Sequence, residues 1–314
     1  MTRRAGRGPL EAAPARHVFS AEIAAQVRRI ELRTGRLVES LFSGEYHSVF
    51  KGRGMEFSDV REYQPGDDVR AIDWNVTARR GHPYVKEYVE ERELTALIIV
   101  DLSASKAFGT GPRSNALLAT EIAAVLAFAA AGNNDRAGLL LVTDRVELFV
   151  PPDSGRRHAL RLVLELLSFR PAGRGTRISE ALAFAKRILR RRSAIFLVSD
   201  FLVDEIDDPR FDDATRRLSR AHDLIPIRLT DPGATTLPDV GLLAVCDPET
   251  GTRRIVDTGS PVVRAEFEAR ELERRAGVSS LFRQLRLDVA EVSTTDDYVL
   301  PLMRLFRHRE RASR

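Results

Sequence analysis

The side chains of this chain with the clearest potential for chemistry are oxygen donors that follow predicted strands. They are two carboxylates and three hydroxyls: Asp101, Ser103, Ser105, Thr176 and Asp200. Asp101 opens an Asp-x-Ser-x-Ser sequence, Thr176 ends a Gly-Arg-Gly-Thr loop, and Asp200 follows an apolar run. Carboxylate and hydroxyl oxygens are the hard ligands that Mg²⁺ and Mn²⁺ prefer. Because the hydroxyls are neutral, a bound cation would keep positive charge that attracts an acidic group of a partner.

Each of these segments also has an ordinary structural interpretation. Asp and Ser are common in the turns that follow strands, so the Asp-x-Ser-x-Ser sequence alone is a weak signal. Asp200 alone is equally suited to cap a following helix. The combination is more specific, because the Gly-flanked Thr and the second strand-end Asp follow the first Asp in the expected order and at the expected positions in the fold.

The elements that must position these residues alternate between strands and helices. Continuous apolar runs predict buried strands at 94–100, 136–142, 194–199 and 223–229. Between them, helices are predicted at 113–131, 155–168, 178–191 and 212–221. This alternation predicts an α/β fold, Rossmann-like and doubly wound, with a mainly parallel sheet and helices on both faces. In such folds ligands bind outside the carboxyl ends of the strands, at the switch point of the topology.

Shorter signals complete the predicted domain. In chain order they are a hairpin turn at Thr143-Asp144, a second hairpin within 241–257, a helix from Pro261 to about Gly277, a helical turn at 279–285, a strand at 287–292 and a C-terminal helix. Ser260-Pro261 supports the start of the long helix, because Ser is a favoured cap and Pro a favoured first helical residue.

Residues 55–93 are polar and alternate in charge, without a clear helical period. Four carboxylates there are interleaved with Arg: Asp59, Asp67, Asp68 and Asp73. One interpretation is a second metal or acid–base site. The interpretation that we favour is a set of ion pairs and turn caps that order an extension. The single Trp74 is then expected to anchor this extension by burial against the main domain.

This upstream block resembles the signature of the bacterial family called domain of unknown function 58. The similar segments are GEYHS at 44–48, KGRGMEFSDVREYQPGDDVRAIDW at 51–74 and TAR at 77–79. That family places the block directly before a domain like the von Willebrand factor type A domain. The resemblance therefore implies a von Willebrand factor A-like domain at 92–314, preceded by an extension at 20–91 that carries the signature. The Gly, Pro, Arg and Ala content of the first residues predicts a disordered start at 1–19, and the apolar spacing after Ser20 predicts a helix that begins there.

The strand-end residues are similar to the metal-ion-dependent adhesion site (MIDAS) of von Willebrand factor A domains. The resemblance implies that Ser103, Ser105 and Thr176 would contact Mg²⁺ or Mn²⁺ directly, and that Asp101 and Asp200 would act mostly through water. It also implies a partner, because members of the family are associated with MoxR-type AAA+ ATPases as adaptors.

Lys106 departs from the adhesion-site pattern, which has a neutral residue after the second Ser. An inward-pointing ammonium would repel a divalent cation and could replace it by pairing with Asp101 or Asp200. An outward-pointing Lys106 would change nothing. Metal binding and replacement of the metal by lysine are thus both open on the sequence.

Composition excludes several other classes of protein. Lys+Arg 49 against Asp+Glu 45 gives a net charge of +4, which argues against a nucleic-acid-binding protein. The single Cys246 excludes an intramolecular disulfide and a Cys-rich zinc site. We expect no transmembrane segment, since no uninterrupted apolar run reaches the roughly 20 residues of a span, and a cytoplasmic location. The basic excess at the two ends leaves open a peripheral contact with an anionic membrane.

Two classes of function remain. The first is a non-enzymatic interaction module that binds a partner's acidic group through a shared cation. The second is a Mg²⁺-dependent phosphoryl-transfer enzyme or phosphatase, since carboxylates and a lysine at strand ends also suit phosphate chemistry. The first is favoured because the position two residues after Asp101 is Ser103 rather than an acid–base Asp, and because the glycine loops lack the Lys-Ser or Lys-Thr of an ATPase.

Overall fold

A six-stranded sheet lies at the centre of the chain in the computed structural model. The structure describes residues 25, 27–30, 55–90, 94–103, 113–173, 175–202, 208–246 and 251–312. The strands are β1 Met55–Glu62, β2 Tyr84–Glu90, β3 Thr95–Asp101, β4 Arg136–Val142, β5 Val146–Asp153, β6 Ala194–Ser199, β7 Asp223–Thr230, β8 Leu242–Cys246, β9 Arg253–Asp257 and β10 Ala290–Ser293. The α-helices after residue 55 are α1 Trp74–Arg80, α2 Asn115–Gly132, α3 Arg156–Ser168, α4 Ile178–Ile188, α5 Phe211–Ala221, α6 Pro261–Gln284 and α7 Val299–Ala312.

The central sheet has the order β10-β7-β6-β3-β4-β5. Its strands pair in parallel except at the β5 edge, where β5 returns from β4 as an antiparallel hairpin. The four buried strands begin and end within one residue of their predicted bounds, and the two predicted hairpins are present. The predicted α/β, doubly wound, mainly parallel architecture is therefore confirmed.

Helices cover both faces of this sheet, as the continuous apolar strands require. From β3, Ile98 and Val100 pack with α2, α3 and α7 on one face. Leu97 and Ile99 point the other way and pack with α4, α5 and α6. The side chains of β3 are thus buried alternately in two cores, which keeps the strand in the middle of the sheet.

The switch point of the topology lies beside β3. The chain passes from β3 to β4 on one side through α2, and it later enters the sheet again at β6 on the other side of β3. Connections therefore leave the neighbouring carboxyl ends of β3 and β6 toward opposite faces. In doubly wound folds, ligands bind in the crevice that such diverging connections leave outside the carboxyl ends of the strands.

Helix α2 is apolar enough, by length and composition, to cross a membrane. The sequence does not predict a membrane span here, because the uninterrupted apolar run within this helix is shorter than a span. In the structure, 78% of the stretch Asn115–Gly132 is buried inside the protein. Its small alanines allow close packing between the sheet and α3, so burial in the core accounts for its composition.

The extension upstream of the sheet is ordered by carboxylates. β1 and β2 pair in antiparallel fashion. Asp68 caps the 3₁₀ turn that follows it, and Asp73 accepts hydrogen bonds from two backbone N–H groups at the start of α1. The two guanidinium nitrogens of Arg61 each donate to Asp67 at 2.7 Å, and this bond lowers the pKa of the Asp67 carboxyl to about 2. The ion-pair and cap interpretation is thus confirmed for these three residues.

Trp74 does not anchor the extension, contrary to the sequence-based expectation. Its side chain is 66% exposed. The capping bonds of Asp73, together with the bond from its N–H to the Tyr84 carbonyl, turn the first residue of α1 toward solvent. Ile72, which forms a bridge with Val85, takes the inward position instead.

Two further expectations near the C-terminus were wrong in their bounds. α6 continues through Gly277 to Gln284, where a break and a separate turn were expected. Glycine disfavours a helix interior by about 1 kcal/mol, but Leu281 and Phe282 are buried against the sheet and keep the helix continuous. The last strand is β10 at Ala290–Ser293, shorter than predicted, because it pairs with β7 only from Ala290 onward.

Part of the basic charge at the C-terminus has a structural role. Arg309 of α7 donates to Asp223 of β7 and, at 2.9 Å, to Asp288. These bonds fasten the last helix to the amino-terminal ends of the strands.

Of the helix predicted from Ser20, residues 27–30 are helical and Ile30 is buried; the predicted disordered start lies outside the described residues.

We predict that acid destabilises the fold through His222. This side chain is buried at the start of β7, and burial lowers its pKa below the ordinary value of 6.5, with Arg192 and Lys186 acting in the same direction. His222 therefore takes up a proton less readily in the folded protein than in the unfolded chain, which becomes protonated as the pH falls through about 6.5. The free energy of unfolding, measured in urea from pH 8 to pH 5, should fall below that pH.

His222→Leu should remove the His222 part of this decline, and the same change at the exposed His82 should not. An identical pH profile for wild type and His222→Leu would contradict the assignment.

Candidate functional site

The structure brings Asp101 and Asp200 together at the predicted edge of the sheet. Asp101 is the last residue of β3, and Asp200 immediately follows β6, which is the neighbouring strand. Both therefore lie at the switch point. Asp101 is 1% exposed and Asp200 is half-buried, so the two carboxylates differ in their access to solvent.

Among the described residues, a backbone N–H and a side-chain hydroxyl donate to the buried carboxylate of Asp101. The backbone N–H of Ser103 donates to Oδ1 at 3.0 Å, which is the local turn that the Asp-x-Ser spacing favours. The Ser199 hydroxyl donates to Oδ2 at 2.6 Å. A carboxylate that accepts hydrogen bonds on both oxygens is held in one orientation.

Ser199 is a member of the site that sequence reasoning missed. It is the last residue of β6, it is fully buried, and its Oγ also accepts from the Phe201 N–H at 3.0 Å. Its hydroxyl thus ties the end of β3 to the turn after β6. The available signal was a hydroxyl at the final position of an otherwise apolar strand, directly before Asp200.

The chain turns sharply after Asp200. Phe201 has a backbone φ of +54°, which residues other than glycine rarely adopt. Its ring is buried and packs edge-on against Phe282 at 5.1 Å between centroids, and it also contacts Phe211. This aromatic packing stabilises the turn that follows β6.

Asp200 does not cap the next described helix. Its Oδ1 accepts from the Leu202 N–H at 3.1 Å, within its own turn, whereas the N-cap of α5 is Arg210. The alternative role considered for this residue in the sequence is therefore not the one observed.

The loop that carries Thr176 is docked on the turn between β4 and β5. The N–H of Gly173 donates to Glu147 Oε1 at 2.6 Å, and the N–H of Arg177 donates to the Thr143 carbonyl at 2.9 Å. Thr143 follows β4, the other neighbour of β3. Thr176, between these two anchors, is thus held at the same edge of the sheet as Asp101.

Gly173 is required for this docking. A Cβ at this position would lie 2.1 Å from Asp144 Oδ1 and 2.2 Å from Thr143 Oγ1. Both oxygens are held in place by other bonds. The Thr143 hydroxyl donates to Glu147 at 2.8 Å, and Arg145 pairs with Asp144 at 3.0 Å. The bond from Arg145 also lowers the pKa of the Asp144 carboxyl. The close approach of the Gly173 backbone to Thr143 and Asp144 leaves no room for a side chain at this position.

Asp208 is a second residue that sequence reasoning missed. Its carboxylate is buried and accepts from the Ser179 N–H at 2.7 Å, in the first turn of α4. Arg177, the N-cap residue of α4, makes no side-chain capping bond. The segment after β6 therefore caps the helix after Thr176, which links the loops that carry Asp200 and Thr176.

Among the five predicted site residues, four lie in the described structure at one edge of the sheet. Ser105 lies outside the described residues, as does Lys106, whose direction is thus still a prediction. Within the described ranges no group of three or more His, Cys, Asp or Glu side chains is placed so that these side chains alone could hold a metal ion. The donors at the site are two carboxylates with neutral hydroxyls, and this all-oxygen set fits Mg²⁺ or Mn²⁺ rather than zinc.

A family model described as "Protein of unknown function DUF58" matches residues 59–277 of the chain. The chain is 31% identical over 294 residues to the uncharacterized protein Rv1480 of Mycobacterium tuberculosis, which covers 93% of this chain and 91% of that protein. It is 39% identical over 51 residues to the uncharacterized protein YeaD of Bacillus subtilis, covering 16% of this chain and 13% of that one.

Solved structures with a similar arrangement share little sequence with this chain. BatB from Bacteroides thetaiotaomicron matches with a TM-score of 0.46 and 14% identity, over 69% of this chain and 99% of that one. A von Willebrand factor type A protein from Catenulispora acidiphila matches with a TM-score of 0.37 and 12% identity, over 72% of this chain and 43% of that one.

We predict that Gly173→Ala destabilises the protein by about 1–3 kcal/mol, the usual cost of forcing extra atoms into a packed site. The new methyl group would displace the loop from Thr143 and Asp144. The matched control is Gly277→Ala, in the interior of α6, where a Cβ would meet no atom within 4 Å. That change should stabilise by roughly 0.5–1 kcal/mol, because alanine is the better helix former.

Urea unfolding of the two variants beside the wild type measures both effects. Equal stability of Gly173→Ala and wild type would show that the loop is not held as described.

Proposed function

Because this chain belongs to the family described as Protein of unknown function DUF58, and because its doubly wound domain gathers oxygen donors at the switch point, we propose that it is a protein-interaction module. Its site would bind an acidic group of a partner through a shared cation. The observation that supports this most is the hydrogen bond from Ser199 to Asp101, which joins the ends of β3 and β6 beside Asp200.

The residues have complementary roles in the proposed site. The hydroxyls of Ser103 and Thr176 would hold Mg²⁺ or Mn²⁺ directly, with Ser105 as the third hydroxyl, and Asp101 and Asp200 would act through water. A cation at this position supplies a positive charge that an acidic partner group can bind. The protein contributes the orientation of Asp101, the docking of the Thr176 loop and the packed turn at Phe201.

The partner that we propose is a MoxR-type AAA+ ATPase, and the proposed place of action is the cytoplasm. An adaptor of such an ATPase needs a surface that binds a protein group, and it needs no hydrolytic machinery of its own. The described site agrees with this role, because Ser103 occupies the position where a phosphatase of this type would hold its acid–base carboxylate, and its N–H is bonded to Asp101.

We predict that the protein binds Mg²⁺ or Mn²⁺ and that Asp101→Asn weakens this affinity by about 10–100-fold, the effect typical of groups that orient metal ligands. Ser103→Ala should also weaken binding, because it removes a proposed direct ligand. Asp213→Asn is the matched control, since Asp213 is exposed on α5 and pairs with Arg217. Isothermal titration of each folded variant with the metal alone provides the measurement.

The role of Lys106 is tested in the same titration. If the wild type shows no affinity and Lys106→Met binds the metal, the lysine occupies the site. Absence of binding in both proteins would refute the cation site.

Partner binding is tested by pull-down of a purified MoxR-type ATPase, with and without EDTA. We expect capture to be lost with EDTA and in Asp101→Asn, and kept in Asp213→Asn. Capture that is unchanged by EDTA would exclude the cation bridge. Turnover of p-nitrophenyl phosphate that disappears in Asp101→Asn would instead favour the phosphoryl-transfer alternative.

A further inference from the structure

The hairpin of β8 and β9 exposes apolar side chains on a small sheet that is separate from the central one. Leu242 is 76% exposed and Ile255 is 75% exposed. An isolated two-stranded sheet is marginal in water, and exposed apolar clusters commonly mark sites of protein contact. This hairpin therefore presents a surface that another protein surface is expected to cover.

The register of the hairpin places these residues on one face. The directly opposed pairs are Leu242 with Asp257, Ala244 with Ile255, and Cys246 with Arg253. Opposed residues in an antiparallel pair point to the same side of the sheet. These six residues form what we call the outer face, and all six are exposed. The alternate residues Leu243, Val245 and Val256 are half-buried on the opposite face.

The base of the hairpin is fastened to α6. The Thr258 N–H and hydroxyl both donate to the Gly241 carbonyl, at 2.8 and 2.7 Å. Arg264 of α6 donates to the Thr258 carbonyl and pairs with Asp239 at 3.2 Å. Since these bonds hold the start of β8 and the end of β9 to each other and to α6, the base of the hairpin has a defined orientation.

The charges of the outer face indicate what covers it. Arg253 and Asp257 lie at the two ends of β9, with Ile255 midway between them. Arg253 is exposed, and no ion pair joins it to another residue in the part of the chain that the structure describes. A partner strand that crosses this face must offer an acidic group at one end, an apolar residue in the middle and a basic group at the other end.

A second copy of the same face, turned by 180°, meets this requirement. We propose that the chain forms a two-fold symmetric dimer through the outer faces of its β8–β9 hairpins. With the axis between the faces and perpendicular to the strands, β9 lies antiparallel over β9 of the partner. Ile255 then packs on the partner subunit's Ile255, and Arg253 faces the partner subunit's Asp257, twice over.

The same rotation is favourable for β8. Leu242 faces the partner's Cys246, and Ala244 faces the partner's Ala244, so apolar groups meet along the whole strand. If the axis ran along the strands instead, β9 would lie over β8, and Asp257 would be buried against Leu242. Charge burial without a partner is costly, which leaves the antiparallel arrangement as the one that the sequence of the face favours.

This interface is small. Stable protein interfaces bury about 1,200 Å² or more in total, and smaller ones are weak or transient. We therefore expect a weak dimer, with a dissociation constant on the order of micromolar or higher. The proposal does not depend on the cation site, because none of its residues belongs to that site.

Sedimentation velocity of the full chain at increasing concentration tests the proposal. The wild type should change from monomer to dimer. Ile255→Glu should remain monomeric, because it places two like charges at the axis. Leu272→Glu is the matched control: this leucine is also strongly exposed, but it lies on α6 outside the outer face, and its dimer should persist.

Charge reversal distinguishes this dimer from any other. Arg253→Asp alone and Asp257→Arg alone should each be monomeric, since each opposes like charges. Mixing the two single variants should give a heterodimer, because each then opposes the other with unlike charges, and the double variant should dimerise with itself. A wild type that stays monomeric, or single reversals that dimerise as well as the wild type, would overturn the proposal.

Discussion

The parallel pairing of β3 between β4 and β6 is the constraint on which the site depends. β3 is buried on both faces, and its alternate side chains belong to two different cores, so neither a shift by one residue nor a move to the sheet edge is compatible with its burial. This register brings Asp101 level with the end of β4 and beside the end of β6. The hydroxyl of Ser199 can then reach the Asp101 carboxylate, and the switch point acquires a carboxyl group in a fixed orientation.

The loops around this point stabilise one another rather than acting separately. Gly173 and Arg177 hold the Thr176 loop to the turn after β4, and Asp208, from the segment after β6, caps the helix that this loop begins. Phe201 turns the chain out of the sheet, supported by an aromatic cluster beneath α5 and α6. A change at any of these positions therefore acts on the position of site residues that it does not itself contact.

The chain presents two surfaces that differ in polarity and in charge. The edge of the central sheet is polar, built from oxygen donors, and suited to a charged group. The hairpin of β8 and β9 is apolar with one charge of each sign, and suited to a copy of itself. Because these surfaces share no residues, the proposed dimer would leave the sheet edge of each subunit available. The assembly would then carry two such edges.

The apolar runs and turn residues of the sequence were sufficient to predict the sheet, its helices and the common edge at which four of the five candidate site residues lie. Burial on both faces leaves a continuous apolar signal, and parallel strands end at a common edge. The bonds of Ser199 and Asp208, the outward position of Trp74 and the continuation of α6 through Gly277 were decided by tertiary structure. Each depends on residues distant in sequence: a hydroxyl meets a carboxylate 98 positions away, and packing of Phe282 against the sheet outweighs a local preference of glycine. Local pattern determines which elements form, and only their packing decides which side chains meet.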